Sequence, residues 1–186
     1  MGVGALNMRR AVFLDRDGVI NRGILRDGKP YPPASLAELE ILPGVDEALA
    51  SLKAAEFLLY VVTNQPDIAR GTQKSEMVDQ INRALGQALP LDAFYVCPHD
   101  DRDGCDCRKP KPGLLLRAAA EHGISVADSF MIGDRWRDVE AGQRAGCRSI
   151  WLNYGYAERA PARPADATLN SLTEAAAWIL EQTRAR

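Results

Sequence analysis

The sequence predicts an α/β fold: a mostly parallel sheet with helices on both faces. Three observations predict it. Short continuous apolar runs recur along the chain, stretches with helical spacing of apolar residues separate them, and the chemically unusual residues sit just after the runs. In chain order, residues 11–14, 57–62, 94–96, 130–132 and 149–152 read as strands buried on both faces, since none shows the in–out alternation of a half-exposed strand. Between the first two, Val45, Ala48, Leu49 and Leu52 recur at three- and four-residue intervals, the stripe of an amphipathic helix. Met77, Val78, Ile81, Leu85 and Ala88 form a second stripe. A third helix spans residues 113–122, with Pro112 as its start signal and Gly123 as its stop. Residues 136–145 make a weaker fourth, and Leu172, Ala175, Ala176, Ile179 and Leu180 mark the last. The Pro- and Ala-rich residues 160–167 read as a linker into that helix. Strands alternating with helices need crossover connections, hence parallel neighbours.

The chain has 186 residues, 46% of them hydrophobic, with 23 Lys plus Arg against 25 Asp plus Glu for a formal net charge of −2. That length suits one domain, expected over residues 10–186 behind a flexible N-terminal extension of residues 1–9. The charge balance argues against general nucleic-acid binding, which shows as a basic excess. No stretch approaches the roughly 20 apolar residues of a membrane span, and the opening segment is too short and weakly apolar for a secretory signal. The expectation is a cytoplasmic monomer with no nucleic-acid or membrane partner.

Chemistry collects at the strand exits. Asp15 and Asp17 follow the first strand, Thr63 and Asn64 the second, Cys97 and His99 the third, Gly133 and Asp134 the fourth. Ligands of open parallel sheets bind at the carboxyl ends of the strands, so the four exits converge on one edge. Residues two apart in extended chain point to one side, so Asp15 and Asp17 face one site and Gly18 turns the chain away. Two acids held together need a cation or a shared proton. With Asp134 as a third acid, oxygen ligands with room for water suit Mg²⁺. Thr63 and Asn64 offer a hydroxyl and an amide to a phosphate oxygen. Residues 107–113 place Arg108, Lys109 and Lys111 ahead of a helix N-terminus, itself favourable to anions. Singly, each feature has a plain structural reading: a capped turn, a strand-ending pair, a surface charge run. Together they supply the nucleophile, metal site and cations that phosphoryl transfer requires.

The set Asp15-x-Asp17-Gly18-Val19, Thr63-Asn64, Lys109-Pro110 and Gly133-Asp134-x-x-x-Asp138 resembles the four motifs of the haloacid dehalogenase (HAD) superfamily of phosphatases, over about residues 10–152. The resemblance implies a HAD-like Rossmannoid three-layer sandwich without a cap domain. It implies that Asp15 is the nucleophile forming an aspartyl-phosphate, and that Asp17 is the general acid and then the base. Thr63 and Lys109 correspond to the groups that hold the phosphoryl oxygens. Asp15, the backbone carbonyl of Asp17, and Asp134 correspond to the Mg²⁺ ligands, with Asp138 in support.

Cys97 and His99, then Cys105 and Cys107 after five intervening residues, supply three thiolates and one imidazole. That donor set fits a closed, structural Zn²⁺ site pinning the loop that carries Arg108 and Lys109. This loop, with residues 62–65 and Ile68-Ala69-Arg70-Gly71, is similar to the D-glycero-D-manno-heptose 1,7-bisphosphate 7-phosphatase family. The similarity implies a small phosphorylated sugar as substrate, contacted by Asn64, Gln65, Arg108 and Arg135. The chain departs from the family at Pro66-Asp67, where Ser-Gly is usual, and at residues 22–25, where an acidic Gly-Tyr loop is usual. Its His99–Cys105 spacing is similar to that of histidinol-phosphatases, which stand as the alternative. Outside enzymes, the alternatives are a phospho-accepting regulator and a zinc-stapled binding module that has lost catalysis; Asp17 and the intact motif set weigh against both. With no inserted domain, loops 19–32, 65–72 and 98–104 are the expected substrate wall.

Overall fold

A computed structural model describes residues 8–184. Of the expected N-terminal extension, residues 1–7 lie outside the described residues, whereas Arg9 is bridged to Ile124 and its guanidinium donates to the His122 carbonyl. The strands are β1 (Ala11–Leu14), β2 (Ile24–Arg26), β3 (Lys29–Tyr31), β4 (Leu58–Asn64), β5 (Ala93–Cys97), β6 (Phe130–Gly133), β7 (Arg148–Leu152) and β8 (Ala167–Leu169). The helices are α1 (Val45–Ala54), α2 (Ser75–Ala88), α3 (Gly113–His122), α4 (Trp136–Ala145) and α5 (Leu172–Arg184).

One six-stranded sheet runs in the order β5-β4-β1-β6-β7-β8, and every neighbouring pair is parallel. The two-residue side-chain period of a strand sorts the core. Val12 and Leu14 of β1 join Leu49, Leu52, Ile81, Leu85, Ala175 and Ile179 of α1, α2 and α5 on one face. Ala11 and Phe13 join Leu114, Leu115, Ala118, Ala141 and Ala145 of α3 and α4 on the other. The result is the three-layer α/β sandwich expected, with no inserted cap domain among the described residues. The chain builds outward from β1 through β4 to β5, then crosses back to lay β6 on the opposite side of β1. That reversal opens a crevice at the carboxyl end of β1, where ligands of such sheets bind.

Two stretches differ from the sequence reading. Within the segment read as a long loop, β2 and β3 form an antiparallel hairpin. Its turn is Asp27-Gly28, both at positive φ (50° and 71°), the backbone a tight two-residue hairpin demands. The strands are three residues each and largely exposed, so no apolar run announced them. The expected linker ends in β8, an edge strand secured by Asp166, whose carboxylate accepts from the Ser149 amide at 2.7 Å.

Helix α4 sits close on the sheet because Gly142 faces Met131: a Cβ there would lie 2.6 Å from Met131 Cβ. In an open helix Ala is favoured over Gly by about 1 kcal/mol, but overpacking a tight contact costs about 1–3 kcal/mol. Gly142→Ala is therefore expected to lower stability by a net of up to ~2 kcal/mol. Urea unfolding of the two proteins checks the sign, and a more stable variant would refute the packing argument.

Candidate active site

The site begins where β1 ends. The Asp15 amide donates to the Ile132 carbonyl of β6 at 2.9 Å, which locks the first acid at the crevice. The chain then winds through a tight turn closed by Ile20 N to Arg16 O (2.9 Å) and Gly18 N to Asn21 O (2.7 Å). Gly18 has φ +90°, and a Cβ on it would lie 1.9 Å from Asp134 Oδ2, so only glycine fits between the turn and the acid. Asp17 receives four hydrogen bonds: Arg16 Nε and Nη2 at 3.1 Å each, Asn21 Nδ2 at 2.9 Å and Gln65 Nε2 at 2.8 Å. Arg16 is fully buried, and its remaining arm donates to Asn82 Oδ1 at 2.9 Å.

Lys109 is brought in from the loop before α3. Its ammonium donates to Asp15 Oδ1 at 2.8 Å and the Val62 carbonyl at 2.7 Å, and lies 2.6 Å from Asp138 Oδ1. These three partners match the three protons of an ammonium group. Burial alone lowers the Lys109 pKa, but the carboxylates of Asp138 and Asp15 outweigh it and hold the group above its ordinary value. Asn64 clamps the lysine's backbone, donating to its carbonyl and accepting from its amide, both at 3.1 Å. Asp138 caps α4, its second oxygen accepting from the Arg135 amide at 3.0 Å.

The acids carry the strain of this arrangement. Burial first, then Asp138 and Asp17, push the Asp15 carboxyl up to about 6 against the pull of Lys109. Asp134 is raised well above the ordinary carboxylate value by burial, then by Asp15 and Asp138. Carboxylate oxygens of Asp15, Asp134 and Asp138 all lie within 4.8 Å of one another. Both Asp138 oxygens are taken by Lys109 and the Arg135 amide, whereas Asp134 Oδ1 is buried without any partner. A bare, buried carboxylate oxygen beside a second acid is the donor set of a hard divalent cation, and Mg²⁺ fits it. Asp15 and Asp134 are the side chains that could hold it.

Asp15, Asp17, Asn64, Lys109, Arg108 and Arg135 line one cleft of about 350 Å³. Residues 29–32, Pro66, Asp67, Arg70 and Asp101 wall it, drawn from all three loops expected to do so. Gln65 corrects the expectation of a substrate contact: it is 1% exposed, outside the lining, and bonded to Asp17 and to Thr63 Oγ1 (2.9 Å). Its place just past the exit of β4 turns the amide inward. Thr63 is equally buried. Arg108 donates to Asp101 at 2.9 Å and to the His99 carbonyl at 3.2 Å, while Arg135 is clasped by Glu158.

The four soft ligands converge as well. Cys97 Sγ lies 3.0 Å from Cys107 Sγ and 3.7 Å from Cys105 Sγ, and His99 Nδ1 lies 3.3 Å from Cys107 Sγ. All three thiols are free, and the separations exceed the ~2.0 Å of a disulfide. A tetrahedral Zn²⁺ with bonds of about 2.3 Å spaces its sulfurs about 3.8 Å apart, so the cluster fits that ion after slight expansion.

Known proteins bear directly on this geometry. A family model described as HAD-hydrolase-like matches residues 106–175. The D-glycero-β-D-manno-heptose-1,7-bisphosphate 7-phosphatase of Pasteurella multocida is 38% identical over 78% of this chain and 82% of its own. The enzyme of the same name from Haemophilus ducreyi is 33% identical over 92% and 98%. The chain belongs to the heptose 1,7-bisphosphate 7-phosphatase family. The fold agrees: a crystal structure of the D,D-heptose 1,7-bisphosphate phosphatase from B. bronchiseptica, complexed with magnesium and phosphate, superposes with a TM-score of 0.75. It is 30% identical, covering 93% of this chain and 99% of that one.

Several residues of this family member's site escaped the sequence reading. Arg16 and Asn82, which steady Asp17, are buried polar side chains with no motif to mark them. Glu158 and Tyr156, which hold Arg135 and Asp134, follow β7. The exit of β7 was a fifth place to look, and Tyr156 and Glu158 there were the available signal.

The Asp15 carboxyl titrates above its ordinary 3.8, so its protonated form favours the fold; that contribution is complete below about pH 3.8 and lost as pH rises through about 6. Asp15→Asn, neutral at every pH, is expected to stabilise the Mg²⁺-free protein at pH 8 by about 1–3 kcal/mol and to match wild type near pH 4. Denaturant unfolding at both pH values checks it; an equal difference at both would contradict the burial argument.

Proposed function

We propose that this protein is a Mg²⁺-dependent phosphomonoesterase removing the 7-phosphate of D-glycero-β-D-manno-heptose 1,7-bisphosphate through an aspartyl-phosphate on Asp15. The observation that carries the reading is the Asp15–Lys109 pair at the floor of the cleft, 2.8 Å apart, with Asp17 beside it. Asp15 attacks phosphorus; the sugar oxygen leaves and takes a proton from Asp17. Asp17 then takes a proton from water, which attacks the acyl-phosphate, and Asp15 is regenerated. Lys109 holds the phosphoryl oxygens, Thr63 accepts from Gln65 behind the cleft wall, and Arg16, Asn21 and Gln65 fix the Asp17 carboxylate for both proton transfers. Mg²⁺, held by Asp15, Asp134 and the Asp17 carbonyl, supplies positive charge that offsets the repulsion between a carboxylate and a phosphate dianion. Cys97, His99, Cys105 and Cys107 hold a structural Zn²⁺ that keeps Arg108 and Lys109 in place.

The cleft wall supports a sugar with a second anionic end. Arg70 pairs with Asp67 and Asp100, Arg108 and Arg137 with Asp101, and Arg135 with Glu158. These pairs present donors and acceptors side by side, which suits hydroxyls. Lys29, on the hairpin, lines the cleft with no acid partner among the described residues, and it is the cation left for the distal phosphate. The short His99–Cys105 spacing supports histidinol phosphate as the second reading.

Phosphate release should be compared for heptose 1,7-bisphosphate anomers, heptose 7-phosphate and histidinol phosphate. The β-bisphosphate is expected to lead, Asp15→Asn to abolish turnover on all of them, and Lys29→Gln to lower kcat/KM about tenfold for the bisphosphate only, ~1.4 kcal/mol. Turnover by the Asn variant would sink the mechanism; an equal loss on monophosphate would sink the role of Lys29. Zinc removal with Mg²⁺ restored is expected to lower kcat/KM by about tenfold or more, and full activity in zinc-free protein would remove the pinning role.

A further inference from the structure

The segment after β7, residues 153–158, reaches back over the site at three points. Tyr156 Oη donates to Asp134 Oδ2 at 2.9 Å, the Ala157 amide donates to the Gly28 carbonyl of the hairpin at 3.1 Å, and Glu158 clasps Arg135. At the end of β7 itself, Trp151 Nε1 donates to the Asp134 carbonyl at 3.1 Å. Asp134 is thus gripped at its backbone and at one carboxylate oxygen from the neighbouring strand. Among the described residues Tyr156 is the only side-chain donor to that carboxylate. Oδ2 is further hemmed in by the Gly18 turn, where no Cβ fits. The other oxygen, Oδ1, is buried and bare.

A carboxylate's terminal torsion is soft and roughly two-fold, so an unassisted carboxylate swivels and exchanges its oxygens. A hydrogen bond to one oxygen removes that freedom, and such outer partners commonly govern metal affinity. We propose that Tyr156 is a positioning residue for Mg²⁺: its hydroxyl fixes the Asp134 carboxylate so that Oδ1 is presented to the cation. The assignment rests on Asp15 and Asp134 being the Mg²⁺ ligands. It locates part of the metal site's design on a segment that none of the four sequence motifs contains.

Tyr156→Phe removes one oxygen and keeps the ring, with its edge contact to Tyr154 at 5.9 Å. Isothermal titration of the full chain with Mg²⁺ alone is the test, with Tyr154→Phe as control. Tyr156→Phe is expected to bind Mg²⁺ about 10- to 100-fold more weakly, and Tyr154→Phe to bind as wild type does. In turnover, the Mg²⁺ concentration for half-maximal rate should rise by the same factor, while KM for the phosphorylated substrate at saturating Mg²⁺ should not. Binding of Mg²⁺ by Tyr156→Phe within twofold of wild type overturns the proposal while leaving the Mg²⁺ site standing. A wild type that binds no Mg²⁺ overturns the ligand assignment and this role with it.

Discussion

One ammonium group stands among more negative charge than it can neutralise. Lys109 Nζ bonds Asp15 and lies against Asp138, with Asp134 beside them and all four side chains buried. Three carboxylates against one cation is not a stable balance in a dry site, since unpaired buried charge costs several kcal/mol. Burial and mutual repulsion accordingly favour the protonated acids, lifting Asp15 to about 6 and Asp134 well above the ordinary carboxylate value. A divalent cation relieves the excess better, because it lets the acids stay ionised. An arriving phosphate dianion would worsen the imbalance without that cation, so the buried acids, the metal and the substrate are tied to one electrostatic requirement.

The scaffold meets the requirement by assembling the cluster from separate elements. β1 delivers Asp15, and β6 delivers Asp134 one residue past its end. The first turn of α4 delivers Asp138, whose second oxygen caps the helix. The parallel register of β1 with β6 sets the spacing, since Leu14 pairs with Ile132 and the acids follow on both strands. Lys109 comes from the loop before α3, and that loop is held by Asn64 from one side and by the converging cysteines from the other.

What could be read from the chain follows from how local each signal is. Asp15, Asp17, Asp134 and Lys109 were legible because each sits at a fixed offset from an apolar strand or a helix start, and the crossover rule brings the exits together. The strands and α3 and α4 were legible for the same reason. Arg16 was not, since a charged residue between two site acids reads as exposed until Asn82 and Asp17 are seen to satisfy it in the core. Gln65 turns inward instead of into the cleft, because direction just past a strand exit depends on tertiary partners, here Asp17 and Thr63. The hairpin carried a local sign in Asp27-Gly28, but strands this short and exposed leave no hydrophobic trace. Tyr156 depends wholly on β7 lying beside β6, a relation of topology rather than of spacing.

The cleft divides its charge into a rigid floor and an adaptable rim. On the floor, the side chains of Lys109 and Asp138 are each 2% exposed and that of Asp15 11%. Moving Lys109 away from both acids would strand charge in a dry setting, at a cost of about 3–5 kcal/mol. At the rim, Arg70 is 42% exposed and Arg135 33%, and Asp101, which two arginines share, is 56% exposed. Exposed pairs of this kind are each worth only about 0–1 kcal/mol. A substrate phosphate or hydroxyl can therefore draw a rim arginine away from its acid at little cost, and the acid is left facing solvent or a sugar hydroxyl. The floor cannot rearrange in that way without Asp15 losing its partner Lys109. Selectivity among phosphorylated sugars accordingly belongs to the rim, and the phosphoryl chemistry belongs to the floor.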